Sequence, residues 1–285
     1  MDIDWSLRFI GTGSSGSQDL GPSSAVVEHG PKPLLLIDCG HGTPARFRST
    51  YGRWPGAVFL THVHLDHIGG LEQLHGPAAL GEEEPVRLYV PATILQSLHE
   101  RVGSLEHPLA EGRSNFWDAF RLVPVGRGFW HEGHWFDVFE SRHHAPGFAY
   151  GIRLAGRFLY TGDTRPIPEV LRRYGRAGER LFHDCGWRGN PSHTGLDDIK
   201  REYEPDLLER LVLYHYESHV VGDRLTAAGM TVARPGERFD LGGSKRPRSA
   251  APETGRTVQI CRRPIASRDP WPEPSAAGLA ARGFE

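Results

Sequence analysis

Residues 57–70 read AVFLTHVHLDHIGG and place His62, His64, Asp66 and His67 within six positions. Neutral imidazoles and a carboxylate are the donors that suit Zn(II) and similar first-row divalent ions. One tetrahedral ion does not use all four comfortably, because neighbouring side chains on so short a loop project in different directions. The economical division gives His62 and His64 to one ion and Asp66 and His67 to a second, so the stretch predicts two cations side by side. An apolar, β-prone run, Ala57 to Leu60, leads in, and a helical pattern through His67, Leu71 and Leu74 leads out. The ligands therefore belong at the C-terminal end of a strand.

THVHLDHIGG resembles the signature of the metallo-β-lactamase superfamily. The resemblance implies an α/β fold, a four-layer αββα sandwich with a dinuclear metal site at one edge of the two sheets. It extends over about residues 5 to 240. Composition agrees: 285 residues with 38% hydrophobic and 10% aromatic content suffice for a sizeable core. The expected organisation is a hydrolase domain over residues 1–241 and a mobile tail over 242–285, rich in Pro, Ser, Ala and Arg, in which Thr257 to Cys261 can form a short strand.

Charge and cysteine usage narrow the function classes. Of 33 basic and 35 acidic residues, residues 242–285 carry eight and four, which leaves 25 and 31 before them, a balance of −6. An acidic domain disfavours a broad surface for long nucleic acid, whose affinity rests on Lys and Arg contacts to phosphate. Cys39, Cys185 and Cys261 are odd in number and scattered, which argues against a disulfide framework and fits a reducing compartment. No apolar run approaches membrane-spanning length and MDIDWSLRFIG does not read as a signal peptide, so the expected location is cytoplasmic, away from the membrane.

The rest of the chain offers further ligands at the ends of apolar runs. Asp38 follows LLLI; in the superfamily an Asp here supports the site without binding metal, fixing histidine orientation. In ESRHHAPGFAYG, relatives with a His-x-Pro-Gly pattern use the histidine two places before Pro, which is His144, with His143 as the alternative. Asp163 ends FLYTGD, where one carboxylate can bridge two cations. His215 ends the strand Leu211 to Tyr214, and the resemblance makes it the last ligand of the second ion. The implied set is His62, His64 and His144 on one ion, Asp66, His67 and His215 on the other, and Asp163 between them.

Other features stay open. GTGSSGS after the first strand is either a close backbone approach to the site or an ordinary tight turn. Ten aromatics between Phe116 and Tyr150 either line a nucleobase pocket or pack the second sheet. His193, before a helix expected from Thr194, is either an acid beside a phosphate held at the helix N-terminus or a surface histidine near a cap.

Two close cations, Zn by default with Mn or Fe able to take the same donors, imply a hydrolase working through a metal-bridging hydroxide that Asp66 helps to hold. GTGSSG, IDCGHGT and HAPGFAYG are most similar to the branch containing tRNase Z and cyclic-nucleotide phosphodiesterases. The long basic arm of tRNase Z has no equivalent in residues 71–142, so a small or cyclic nucleotide is the expected substrate. A tRNA 3′-processing endonuclease and a thioester or lactone hydrolase are the alternatives. Relatives are often dimers, so the resemblance admits a homodimer, although no stretch marks an interface.

Overall fold

A computed structural model of the chain describes residues 4–79, 81, 83–103 and 115–242. Six strands come first: β1 (Trp5–Gly11), β2 (Ser24–His29), β3 (Lys32–Ile37), β4 (Ala57–Phe59), β5 (Val86–Pro91) and β6 (Phe120–Val125). They form one sheet in sequence order, antiparallel from β1 to β3 and parallel from β3 to β6. The next six, β7 (Gly128–His131), β8 (His134–Glu140), β9 (Tyr150–Leu154), β10 (Phe158–Tyr160), β11 (Arg180–Asp184) and β12 (Leu211–Tyr214), build a second sheet. It too is antiparallel through β7 to β10, then parallel through β11 to β12. A last strand, β13 (Arg238–Asp240), returns to pair with β1.

Strand patterning explains how the sheets face each other. In β1, Leu7 and Phe9 are buried, while Ser6 and Arg8 alternate to the other face and bond Glu28 of β2. Strands β4 (AVF), β10 (FLY) and the edge strand β12 (LVLY) are buried along their whole length, as strands covered on both faces are. Phe9 meets Phe182 and Tyr214 of the opposite sheet at 5.6 Å each, and Phe59 stacks on Phe129 at 5.7 Å. Most of the aromatics between Phe116 and Tyr150 are therefore core: Phe116, Phe120, Phe129, Phe136, Phe139 and Tyr150 are buried. Burying such a side chain contributes on the order of 1.5–3 kcal/mol.

Helices close the outer faces. Phe47 of α1 (Thr43–Tyr51) packs on the first sheet. The single turn α2 (Leu65–Ile68) leads into α3 (Leu71–Ala79), whose Leu71 and Leu74 pack there too. Residues 92–103 form a 3-10 turn, the α turn α4 (Leu95–Leu98) and a π turn over His99–Gly103. In that last turn His99 Nδ1 accepts from Trp117 Nε1 at 3.2 Å. On the second sheet, α5 (Pro168–Tyr174), α6 (Leu196–Glu202), α7 (Pro205–Leu208) and α8 (His219–Ala227) bury Leu171, Ile199, Leu207 and Leu225 against Leu159, Leu181 and Leu213. The layers are helix, sheet, sheet, helix, as expected. Apart from Gly242, whose carbonyl accepts from Arg157 Nη1 at 2.6 Å, the expected tail lies outside the described residues.

Candidate metal centre

The parallel strands of both sheets end at one edge, and the chain delivers its donors there. In open α/β sheets that edge is where ligands bind. β3 ends at Asp38, β4 runs into His62 to His67, and β8 leads to His143 and His144. In the same sheet as β8, β10 leads to Asp163, β11 ends at Asp184 and β12 runs into His215.

Asp163 stands at the centre. Its Oδ2 lies 3.2 Å from His215 Nε2, 3.3 Å from His67 Nε2, 3.6 Å from His62 Nε2 and 3.9 Å from His143 Nε2. Asp66 Oδ2 lies 3.5 Å from His67 Nε2 and 3.8 Å from His215 Nε2. On the other flank His64 Nδ1 is 3.1 Å from His143 Nε2. The donors fall into overlapping groups within 4.8 Å: His62, His64, His143 and His144; His62, His67 and Asp163; Asp66, His67 and His215.

The second nitrogen of each imidazole shows why these rings fit a cation. Thr61 Oγ1 donates to Asp38 Oδ2 at 2.8 Å, so it accepts from His62 Nδ1 at 3.0 Å, and Nε2 of His62 is the bare nitrogen. His67 Nδ1 donates to Asp38 Oδ2 at 2.8 Å, and His143 Nδ1 donates to the Ser192 carbonyl at 3.0 Å. His215 Nδ1 faces Asp184 Oδ1 at 3.3 Å. Three tautomers are fixed by hydrogen bonds with Nε2 turned inward, and the Asp184 carboxylate sets the fourth ring by proximity. Nε2 of His62, His67 and His215 and Oδ1 of Asp163 are buried with no hydrogen-bond partner among the described residues. Converging buried polar atoms with no hydrogen-bond partner are unfavourable unless something joins them, and the donor set fits a divalent metal.

Electrostatics follow the same layout. Burial holds His62 well below the usual imidazole value and His64 down at about 4. Burial opposes charge on His67 and His215 too, but Asp163 with Asp38 raises the first, and Asp163 with Asp184 raises the second to about 10. Burial also opposes the Asp163 carboxylate, yet His215, His67 and His62 hold it well below the carboxylate range.

Backbone geometry holds this loop pair together. Cys39 N donates to His67 O at 2.7 Å and Gly70 N to Cys39 O at 2.8 Å. A Cβ on Gly40 would stand 2.0 Å from Asp66 O, and one on Gly70 2.2 Å from Gly40 O, so IDCG and HIGG need glycine where they cross. Asp38 and His215 have left-handed backbone, φ 60 and 67, which costs a non-glycine residue roughly 1–2 kcal/mol. The GTGSSGS loop braces the second of these. Thr12 O accepts from His215 N at 2.8 Å and Ser14 N donates to Tyr216 O at 3.2 Å, so the loop approaches the donor groups and braces His215.

Two site expectations shift. His144 was expected inward, but it is exposed at the rim, its ring centroid 4.6 Å from that of His64, while the His143 side chain is 1% exposed and its Nε2 faces the centre. His193 is not at a helix start: α6 begins at Leu196, and Asp198 Oδ2 accepts from Gly195 N at 3.0 Å, which caps that short helix internally. His193 instead bonds Asp184 Oδ2 through Nδ1 at 2.8 Å and stacks on His215 with centroids 4.9 Å apart. Asp184, unassigned from sequence, is fully buried and also accepts from Thr164 N at 2.9 Å. Its signal was present in RLFHD, another apolar run ending in a carboxylate.

A profile of the Anti-Pycsar protein Apyc1 family matches residues 5–239. The chain belongs to the Anti-Pycsar protein Apyc1 family. The Apyc1 protein of Bacillus phage 010DV004 is 31% identical over 245 residues, covering 79% of this chain and 93% of the phage protein. Ribonuclease Z of Marinobacter nauticus is 38% identical over 252 residues, covering 68% and 78%. Among solved structures, the metallo-β-lactamase fold protein YhfI from Bacillus subtilis superposes with TM-score 0.64 at 17% identity, covering 83% of this chain and 99% of YhfI. This Apyc1-family chain thus has the metallo-β-lactamase fold and is a metal-dependent hydrolase. Among the described residues no helix is long and apolar enough to cross a membrane.

Proposed function

We propose that the chain is a dinuclear phosphodiesterase that opens a cyclic nucleotide. In this reading His62, His64 and His143 hold one ion, Asp66, His67 and His215 hold the other, and Asp163 is shared. Zn is the default occupant. Bound there, the ions would supply acidity to water and offset negative charge on the phosphoryl oxygens.

The observation that carries the reading is the His193 to Asp184 pair beside the donor groups. A sugar alkoxide is a poor leaving group and needs a proton as its bond to phosphorus breaks; a thiolate does not. Water adds to phosphorus, the bond to the sugar oxygen breaks, and that oxygen takes its proton from His193. Asp184 orients His193 through Nδ1, which turns Nε2 toward the centre; one His193 nitrogen lies within 4.8 Å of donor atoms of His143 and Asp163. Asp66 holds the attacking water in line. The family match supports a cyclic nucleotide as substrate, and the acidic balance before residue 242 supports a small one.

The match to a Ribonuclease Z favours a second reading, cleavage of tRNA precursors. Reconstituted protein assayed on 3′,5′-cyclic nucleotides, bis-p-nitrophenyl phosphate and a 3′-extended tRNA decides between them. We expect metal-dependent turnover of the first two. Cleavage of the tRNA alone would replace the reading, and hydrolysis of thioesters or lactones alone would end it.

A further inference from the structure

A cleft of about 660 Å³ opens beside the centre, lined by Arg165, Trp187, Arg188, Asn190, His193 and Asp198 among others. Its volume lies within the roughly 300–1,000 Å³ that small-molecule sites span. His193 is the one lining residue that also belongs to the catalytic group, so the cleft begins where the leaving oxygen receives its proton.

The lining is built, and part of it is unspent. Asn190 Oδ1 accepts from Ser192 N at 2.8 Å and His193 N at 2.9 Å, and Gly186 N donates to Thr194 O at 3.0 Å. The loop carrying Arg188 is thereby locked in register with His193. Arg201 is engaged by Asp198 at 2.5 Å and Glu202 at 2.7 Å. Arg165 and Arg188 are exposed, and their guanidinium groups make no direct hydrogen bond or close ion pair among the described residues, although Arg165 helps to hold Asp198 ionised at longer range. Trp187 is half-buried, backed by Arg224 at 3.8 Å from its ring.

A cyclic nucleotide joins its nucleoside to phosphorus through both the leaving and the retained oxygen. With His193 as the acid, the nucleoside must extend from the leaving oxygen past that imidazole. We propose that this cleft is the nucleoside pocket, in which Arg165 and Arg188 donate hydrogen bonds to acceptors on the sugar and base. The assignment rests on the phosphodiesterase reading above. Outside the cleft lining, Leu65 and Phe148 are 60% and 43% exposed and close in sequence to His64 and His144. Those side chains offer no donor or acceptor and would grip a base by stacking alone.

The test compares metal-loaded wild type, the double variant Arg165→Ala/Arg188→Ala and Phe148→Ala on a 3′,5′-cyclic nucleotide and on bis-p-nitrophenyl phosphate. The aryl diester has neither sugar nor base. Both arginines are exposed, so the double variant should fold. It is expected to lower the ratio of kcat/KM between the two substrates about tenfold, chiefly through KM for the cyclic nucleotide. An unchanged ratio, or a fall caused by Phe148→Ala in place of the double variant, overturns the pocket while the phosphodiesterase reading stands. Wild type that turns over neither diester overturns both.

Discussion

The two sheets contribute to the metal centre by the same local device, with different loads on it. In the first, β3 ends in Asp38 beside the parallel strand β4, and Asp38 steers His67 by its Nδ1. In the second, β11 ends in Asp184 beside the parallel strand β12, and Asp184 faces His215 Nδ1. Asp38 spends its remaining capacity on Thr61 N and Thr61 Oγ1, both at 2.8 Å, so it serves one imidazole and its own loop. Asp184 serves two imidazoles, His215 and His193. In the proposed mechanism the first carboxylate would brace the loop over residues 62–67, and the second would link His215 to the proton donor His193.

The largest expected effects test that difference. Asp38→Asn should weaken metal retention about 10–100-fold and recover with excess metal. Asp184→Asn should lower kcat/KM for a cyclic nucleotide on the order of 10³-fold, with much of the loss persisting at saturating metal, because the acid loses its orientation as well. Steady-state kinetics against metal concentration check both. Equal recovery of the two variants would dissolve the distinction.

A middling effect separates the adjacent histidines. His143→Ala should lose a metal equivalent and about 10–100-fold in activity, by analogy with losses of comparable site groups, and His144→Ala should keep its metal. Metal content by mass spectrometry checks this. Loss of metal from His144→Ala alone would restore the sequence-based assignment.

The smallest effect lies away from the centre, in Glu28. Burial works against its charge, but bonds from Ser6, Tyr51, Arg8 and Arg238 hold it at about 2, below the ordinary 4.5. A carboxylate with a depressed folded value stabilises above its ordinary value, and that contribution fades as pH falls from 4.5 through about 2. Glu28→Gln should therefore remove part of the acid sensitivity of unfolding while leaving neutral-pH turnover near wild type. Chemical denaturation at pH 3 and pH 7 checks it. An unchanged pH dependence would show that Glu28 is not a source of acid lability.

The same comparison explains what was legible in the sequence. Four donors of the first sheet share one loop, so THVHLDH announces itself. Site groups of the second sheet are scattered over four strand ends, at His143 and His144, Asp163, Asp184 and His215, and the two carboxylates each look alone like a turn residue. Asp163 is singled out by the apolar run before it and His215 by the resemblance, whereas Asp184, after the same kind of run, carries no motif to mark it. His143 and His144 cannot be separated by pattern, since the Ser192 carbonyl that orients His143 lies 49 positions away. The αββα layering is what the resemblance implies; apolar runs by themselves mark only individual strands. β13, three residues long, gains its identity only from pairing with β1 across the whole domain.

The most direct test of the account is hydrolysis of a 3′,5′-cyclic nucleotide by metal-free protein as Zn or Mn is titrated in. The account predicts a rate that climbs and levels off at two equivalents per chain. A plateau at one equivalent would contradict the paired site, and absence of hydrolysis at every metal content would contradict the proposed reaction.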